Sequence, residues 1–253
     1  MESATIPSPV PARPGADARS RGTGDTEEGT RSAPSEERSA GGEDIPRIGP
    51  NSLIQTRRAL EELHGARTAR VLYSWAGCPE EPEEMVEETH FVRLVVAVRG
   101  GLGAEDAARV LARSGHHTAR YVYENRIPRL VRRGVDLLPA GIGLRMLLGG
   151  IRRHAWTFVG GGTFEAIWGD PPEIRIHRCP TCRDFQLDRP GGDFYAAAFQ
   201  SLLGRLLKCA VRVEERDCVA RGDAICSFTI DTGSRAGADS QPVSSDGDNP
   251  CAS

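Results

Sequence analysis

The chain has no surplus of positive charge, no long apolar run and none of the compact motifs that mark nucleotide-using enzymes. Its 32 Lys and Arg are set against 35 Asp and Glu, a net charge of −3, which leaves no basic footprint for nucleic acid. No stretch approaches the roughly 18 consecutive apolar residues of a transmembrane helix. The amino terminus lacks the basic-then-apolar order of a secretory signal. Such a chain is expected in the cytoplasm, where seven cysteines, an odd number, serve as thiols or metal ligands rather than disulfides. There is no GxGxxG between a strand and a helix, no GxxxxGK followed by Ser or Thr, no GxSxG elbow and no HExxH. A reductase holding its own nicotinamide in a Rossmann unit is therefore disfavoured, no nucleotide site is evident, and no catalytic residue stands out. No internal repeat is visible.

Large apolar side chains are nearly missing from residues 1–46 and 232–253. Such segments bury too little surface to offset the entropy of ordering them and are expected to be disordered, Cys251 being an exposed thiol of the second. The folded part is then 47–231, an ordinary size for one domain. Asn51-Ser52 opens a helix with Leu53, Ile54, Leu60 and Leu63 on its apolar face, which Gly65 ends; a second, over 66–75, follows. The acidic run 80–88 reads as a solvated face, and 91–98 as a helix. The longest helical pattern is 104–125, closed by Ile127-Pro128. Helices follow over 129–138 and around 142–148, with Gly149-Gly150 either a hinge or part of a helix that continues. After Gly160-Gly161-Gly162, read as a turn, strands are expected over 163–168 and 173–177. An irregular loop, 178–192, leads to a helix over 194–207 with Tyr195, Phe199 and Leu203 on its buried face. Helices first and strands late predict an α+β domain, a small antiparallel sheet with helices packed on one side.

The chemistry concentrates in VEERDCVARGDAICSFTI, residues 213–230. Val211, Val213 and Glu215 alternate with polar neighbours, as do Cys226, Phe228 and Ile230, the period of half-buried strands. Arg221-Gly222-Asp223 supplies the turn. Cys218 and Cys226 flank it and Glu215 lies just ahead. Two readings stand: small buried thiols in adjacent strands, or zinc ligands. Cys179 and Cys182 form a CxxC in the polar loop. They are plain loop cysteines, a redox pair, or further thiolates for a zinc shared with the hairpin. Arg152-Arg153-His154-Ala155-Trp156 reads either as a helix end with Trp156 in the core, or as the wall of a pocket for a flat ligand. In the second case His154 coordinates a central metal, Trp156 stacks and an arginine pairs a carboxylate. His116 and His117 point to different faces of one helix, so at most one faces a pocket.

Five stretches in order carry a resemblance. They are Asn51-Ser52-Leu53-Ile54-Gln55-Thr56, Pro82-Glu83-Glu84-Met85-Val86, Asn125-Arg126-Ile127-Pro128, His154-Ala155-Trp156-Thr157-Phe158 and the run from Cys218 to Cys226. Together, over residues 48–231, the chain resembles the 4-vinyl reductase family of bacteriochlorophyll biosynthesis. From about 150 to 231 it looks like a vinyl-4-reductase small-molecule-binding domain. The resemblance implies the fold shared by subunits of a Golgi vesicle-tethering complex and haem-based nitric-oxide sensors.

In phenol-sensing regulators with this domain a zinc is held by Cys, Glu, Cys and Cys. The resemblance implies Glu, two residues, Cys, seven residues, Cys for the last three, which Glu215, Cys218 and Cys226 match. Gly192 stands at the first-cysteine position, so Cys182 or Cys179 would have to substitute. The family name implies reduction of the 8-vinyl group (4-vinyl in older numbering) of a divinyl chlorophyll precursor. Such reduction needs a donor cofactor for which no site is legible. The domain type implies instead a protein that binds a Mg-tetrapyrrole, such as divinyl protochlorophyllide, and presents it to a chelatase, methyltransferase or reductase. His154, Trp156, Arg126 and His117 are the ligand-binding candidates on that reading. The alternative is a non-catalytic sensing module with a structural zinc. The resemblance leaves monomer and homodimer open.

Overall fold

The computed structural model describes residues 45–233. The expected terminal segments, with Cys251, lie outside the described residues except for 45–46 and 232–233. A two-residue strand, β1 (Arg47–Ile48), leads into helix α1 (Asn51–Trp75). The second strand, β2 (Val86–Glu87), pairs antiparallel with β1 and passes straight into α2 (Glu88–Gly101). Helix α1 is interrupted at Gly65, whose φ of 81° is readily available only to glycine, so two helices are present as the spacing predicts. Its inward face differs from expectation. Leu53 and Leu60 are buried, but Ile54 and Leu63 are each 39% exposed. Ser52 and Thr56 take the inward positions, and the Thr56 hydroxyl meets that of Ser114 at 2.7 Å. A buried polar pair across two helices rotates α1 away from its purely apolar solution.

Four helices follow: α3 (Ala104–Asn125), α4 (Arg129–Asp136), α5 (Ala140–Arg153) and the single turn α6 (Trp156–Val159). Gly149-Gly150 lies inside α5 and is no hinge; the chain breaks instead at His154-Ala155. Helix α7 (Asp193–Leu207) lies along α3. A Cβ on Gly115 would come within 2.2 Å of the Phe194 carbonyl oxygen, so this helix pair closes only over a glycine.

Strands β3 (Thr163–Ile167), β4 (Glu173–His177), β5 (Val211–Glu215) and β6 (Cys226–Thr232) form an antiparallel sheet in the order β3-β4-β6-β5. Register puts Phe164 opposite Ile176, Ile174 opposite Phe228 and Val213 opposite Ile230. All six are buried. Period-2 alternation thus collects them on one face, where Phe164 and Phe228 meet Phe199 of α7 at ring-centroid distances of 6.0 and 6.1 Å. The protein is α+β, as the order of patterns predicts, and α7 is the layer between the sheet and the other helices.

Candidate metal centre

Beyond Glu215 the β5 strand leaves its ladder. Cys218 is extended, residues Val219–Arg221 make one 3-10 turn, and Gly222 turns the chain back at φ 98°. The knuckle is tied at Cys218: its N–H donates to the Asp223 carboxylate at 2.8 Å, and its carbonyl accepts from the N–H groups of Arg221 (2.9 Å) and Asp223 (3.2 Å). Cys226 opens β6 on the return.

Loop 178–192 reaches the same place from the other side. The N–H groups of Cys182 and Arg183 fold back on the Cys179 carbonyl at 3.1 and 3.0 Å, and the Leu187 N–H donates to Ala220 of the knuckle at 2.9 Å. Arg183 donates to Glu88 at 2.8 Å; this carboxylate is 2% exposed and also accepts from the Gly161 N–H at 3.1 Å. Glu88 closes the acidic run that reads as a solvated face, and its burial is a correction to that reading. Its signal is hidden in sequence, because nothing local separates it from five exposed glutamates in the same run. The Gly160-Gly161-Gly162 run gains its reason too: a Cβ on Gly160 would lie 2.6 Å from the Glu88 carboxyl carbon.

The result is convergence. One ligand atom from each of Cys182, Glu215, Cys218 and Cys226 lies within 4.8 Å of the other three, the cysteines being buried. The Cys218 and Cys182 sulfurs are 3.6 Å apart, close to the ~3.8 Å that tetrahedral zinc with 2.3 Å Zn–S bonds imposes. Cys179, the other member of the CxxC, is buried beside them and contacts the Cys182 and Cys226 thiols without joining the four.

Three observations fit a cation at this point. Glu215 Oε2 accepts the Gly192 N–H at 2.6 Å, whereas Oε1 is buried with no hydrogen-bond partner. Backbone N–H groups are aimed at two sulfurs, Gly191 at Cys218 (3.3 Å) and Val219 at Cys226 (3.5 Å), as outer donors support metal-bound thiolates. Finally, the metal-free cluster resists ionisation. Burial, with the Cys218 thiol beside it, pushes the Glu215 carboxyl up to about 8. Contacts with the Cys179, Cys182 and Cys218 thiols push Cys226 upward as well. A divalent ion reverses that logic by stabilising every anionic form at once. A surface cleft of about 460 Å³ reaches Glu215 between Arg189, Asp193 and Arg216 and gives an entry path.

A vinyl-4-reductase domain model matches residues 172–232, which contain all four of these residues. The bacteriochlorophyll synthase 23 kDa chain of Cereibacter sphaeroides is 36% identical over 186 residues, covering 73% of this chain and 90% of that one. The Rhodobacter capsulatus protein of the same name is 35% identical over 190 residues, covering 74% and 88%. The chain belongs to the family of these 23 kDa chains.

Among solved structures, unliganded Fe(II) H-NOX from K. algicida aligns at TM-score 0.49 and 9% identity, covering 75% of this chain and 99% of that one. A point mutant of T. tengcongensis H-NOX aligns at 0.48 and 11%, covering 75% and 100%. No residue role is taken from these alignments.

In this member of the 23 kDa family, Gly192 could not carry the cysteine that the resemblance would put there. A Cβ would sit 2.6 Å from Glu215 Oε1 and 2.7 Å from the Phe228 ring. Cys182, ten residues earlier, supplies the sulfur from the loop instead.

The four ligand-binding candidates are dispersed among separate partners. His117 meets Glu62 of α1 at 2.8 Å. Arg126, exposed at the end of α3, lies 5.9 Å from the Tyr121 ring centroid. His154 is exposed, its Nδ1 3.1 Å from the Gly150 carbonyl oxygen. Trp156 is 59% exposed, which corrects its reading as a core residue; the adjacent Phe158 takes the inward position, 5.9 Å from Phe164.

Proposed function

We propose that this protein acts in bacteriochlorophyll synthesis by binding a Mg-tetrapyrrole intermediate of the divinyl protochlorophyllide type. It holds the pigment for reduction of the 8-vinyl group or for delivery to another enzyme of the pathway. The observation that carries this reading is the 36% identity to a bacteriochlorophyll synthase chain over 90% of that chain's length. A zinc on Cys182, Glu215, Cys218 and Cys226 is the structural tie: it joins the β5–β6 knuckle to loop 178–192 and supplies no redox chemistry. The pigment face is the exposed pair at the α5–α6 break. Trp156 offers a ring to stack on, His154 an imidazole for the central magnesium, and Arg152 and Arg153 cations for the ring carboxylates. Arg126 is a further cation for the same carboxylates, and His117 joins only by giving up Glu62. Reducing the vinyl group takes two electrons and two protons from a donor, which NADPH or a reduced ferredoxin would bring.

Titrating the full chain with divinyl protochlorophyllide tests the reading. Saturable quenching of tryptophan fluorescence and a shifted Soret band at micromolar pigment are expected, with the shift altered in His154→Ala. An unchanged Soret band and unquenched fluorescence would overturn pigment binding. Adding each donor and separating products by chromatography then divides the two roles: a monovinyl product assigns reduction, and unchanged pigment that remains bound assigns delivery.

A further inference from the structure

Helices α4 and α5 leave a face of the protein that its core does not use. Val135 is the buried side chain of α4, and α5 turns Leu144, Leu147 and Leu148 inward. What they turn outward is apolar. Leu137, at the turn between them, and Leu130 are 85% and 79% exposed, against 59% or less for every other large apolar side chain among the described residues. Ile142 and Met146, one helical turn apart on the outer side of α5, are 55% and 45% exposed. Single exposed leucines need no explanation; a continuous run of them does.

Charge says what covers this run. Residues 129–153 hold six arginines and one acidic residue, Asp136, in a chain whose net charge is −3. Arg129, Arg133, Arg152 and Arg153 are exposed and, among the described residues, make no ion pair. Arg145 lies 5.4 Å from the ring centroid of Trp168, itself 46% exposed. Arginines interleaved with exposed leucine, isoleucine and methionine are the composition of helices that lie in a bilayer interface, apolar side chains among the acyl tails and guanidinium groups on phosphates. At 8 and 14 residues the two helices are too short to span one.

We infer that α4, the Leu137 turn and the outer face of α5 dock the protein on the surface of a bilayer containing anionic phospholipid. This inference does not rest on pigment binding, and its test uses none. The full chain is floated with vesicles of phosphatidylcholine alone or mixed with phosphatidylglycerol. It is expected to float with the anionic vesicles, and about tenfold less with the neutral ones or in high salt. Arg129→Glu with Arg133→Glu, and separately Leu130→Asp with Leu137→Asp, should each weaken binding about tenfold or more. These side chains are exposed, so melting temperature and metal content should stay at wild-type values.

Failure to float with either vesicle would overturn the docking surface, as would equal binding to both, or variants that float as the wild type does. Sedimentation supplies a further test. A full-chain dimer that Leu130→Asp with Leu137→Asp splits would make this face a seam between two copies and overturn the membrane assignment.

Discussion

Glu215 is the residue on which the metal reading can be tested most sharply. Its carboxyl ordinarily titrates near 4.5 but stands at about 8 in the metal-free fold. Between those values the metal-free folded chain carries a proton that the unfolded chain has lost. The carboxyl therefore costs the metal-free protein stability as pH rises through that window, on the order of a few kcal/mol by its end. A bound cation must expel the proton, so apparent zinc affinity should climb between about pH 5 and 8. In Glu215→Gln the slope of log affinity against pH should fall by about one proton. An unchanged slope in competition titrations would remove Glu215 from the ligand set.

Cys226→Ala should abolish stoichiometric zinc in elemental analysis of protein purified without chelator, and should lower the melting temperature markedly. Gly192→Ala pushes a methyl group into Glu215 and Phe228 at under 3 Å, and should cost about 1–3 kcal/mol in denaturant titrations. The Glu-Cys-Cys spacing was legible without any structure. The choice of Cys182 over Cys179 was not, because both lie in one irregular loop whose path is set by hydrogen bonds to Glu88 and Ala220, more than thirty residues away in either direction.

At the scale of elements, the strongly periodic segments were readable: α3, α7 and the β5–β6 hairpin each repeat at their own period. The β1–β2 pair was not, since two residues per strand cannot show alternation. The rotation of α1 went unread because the Ser52 and Thr56 hydroxyls find their partners outside it, at Gly49 and Ser114.

Glu88 shows why such joints matter. It stands at the start of α2, holds Arg183 of the cysteine loop and accepts from Gly161 ahead of β3. Replacing it with glutamine keeps the shape but removes the charge opposite a half-buried guanidinium. Glu88→Gln should destabilise the fold by roughly 2–4 kcal/mol. It should also weaken zinc binding although no ligand has changed, since the loop carrying Cys182 loses its anchor. Wild-type zinc affinity in that variant would show that the knuckle alone places Cys182.

Across the whole molecule two kinds of cohesion divide the labour. The α3–α7 pair and the inner face of the sheet are held by apolar packing: Tyr195, Phe199, Phe164 and Phe228 interlock there with Leu203 and Ile230, all buried. The far end of the sheet has less of this. Loop 178–192 and the Cys218 knuckle are built from backbone turns and four polar ligands, with few large apolar side chains between them. Local stability follows such differences, and segments poor in apolar contacts open first. Removing the metal should therefore loosen one end rather than unfold the chain. With chelator, amide exchange should quicken across 178–192 and 216–226, while α3 and α7 keep their protection. Uniform acceleration along the chain would instead make the cluster a condition for folding at all, and no acceleration would mean that the loop and the knuckle are held without a cation.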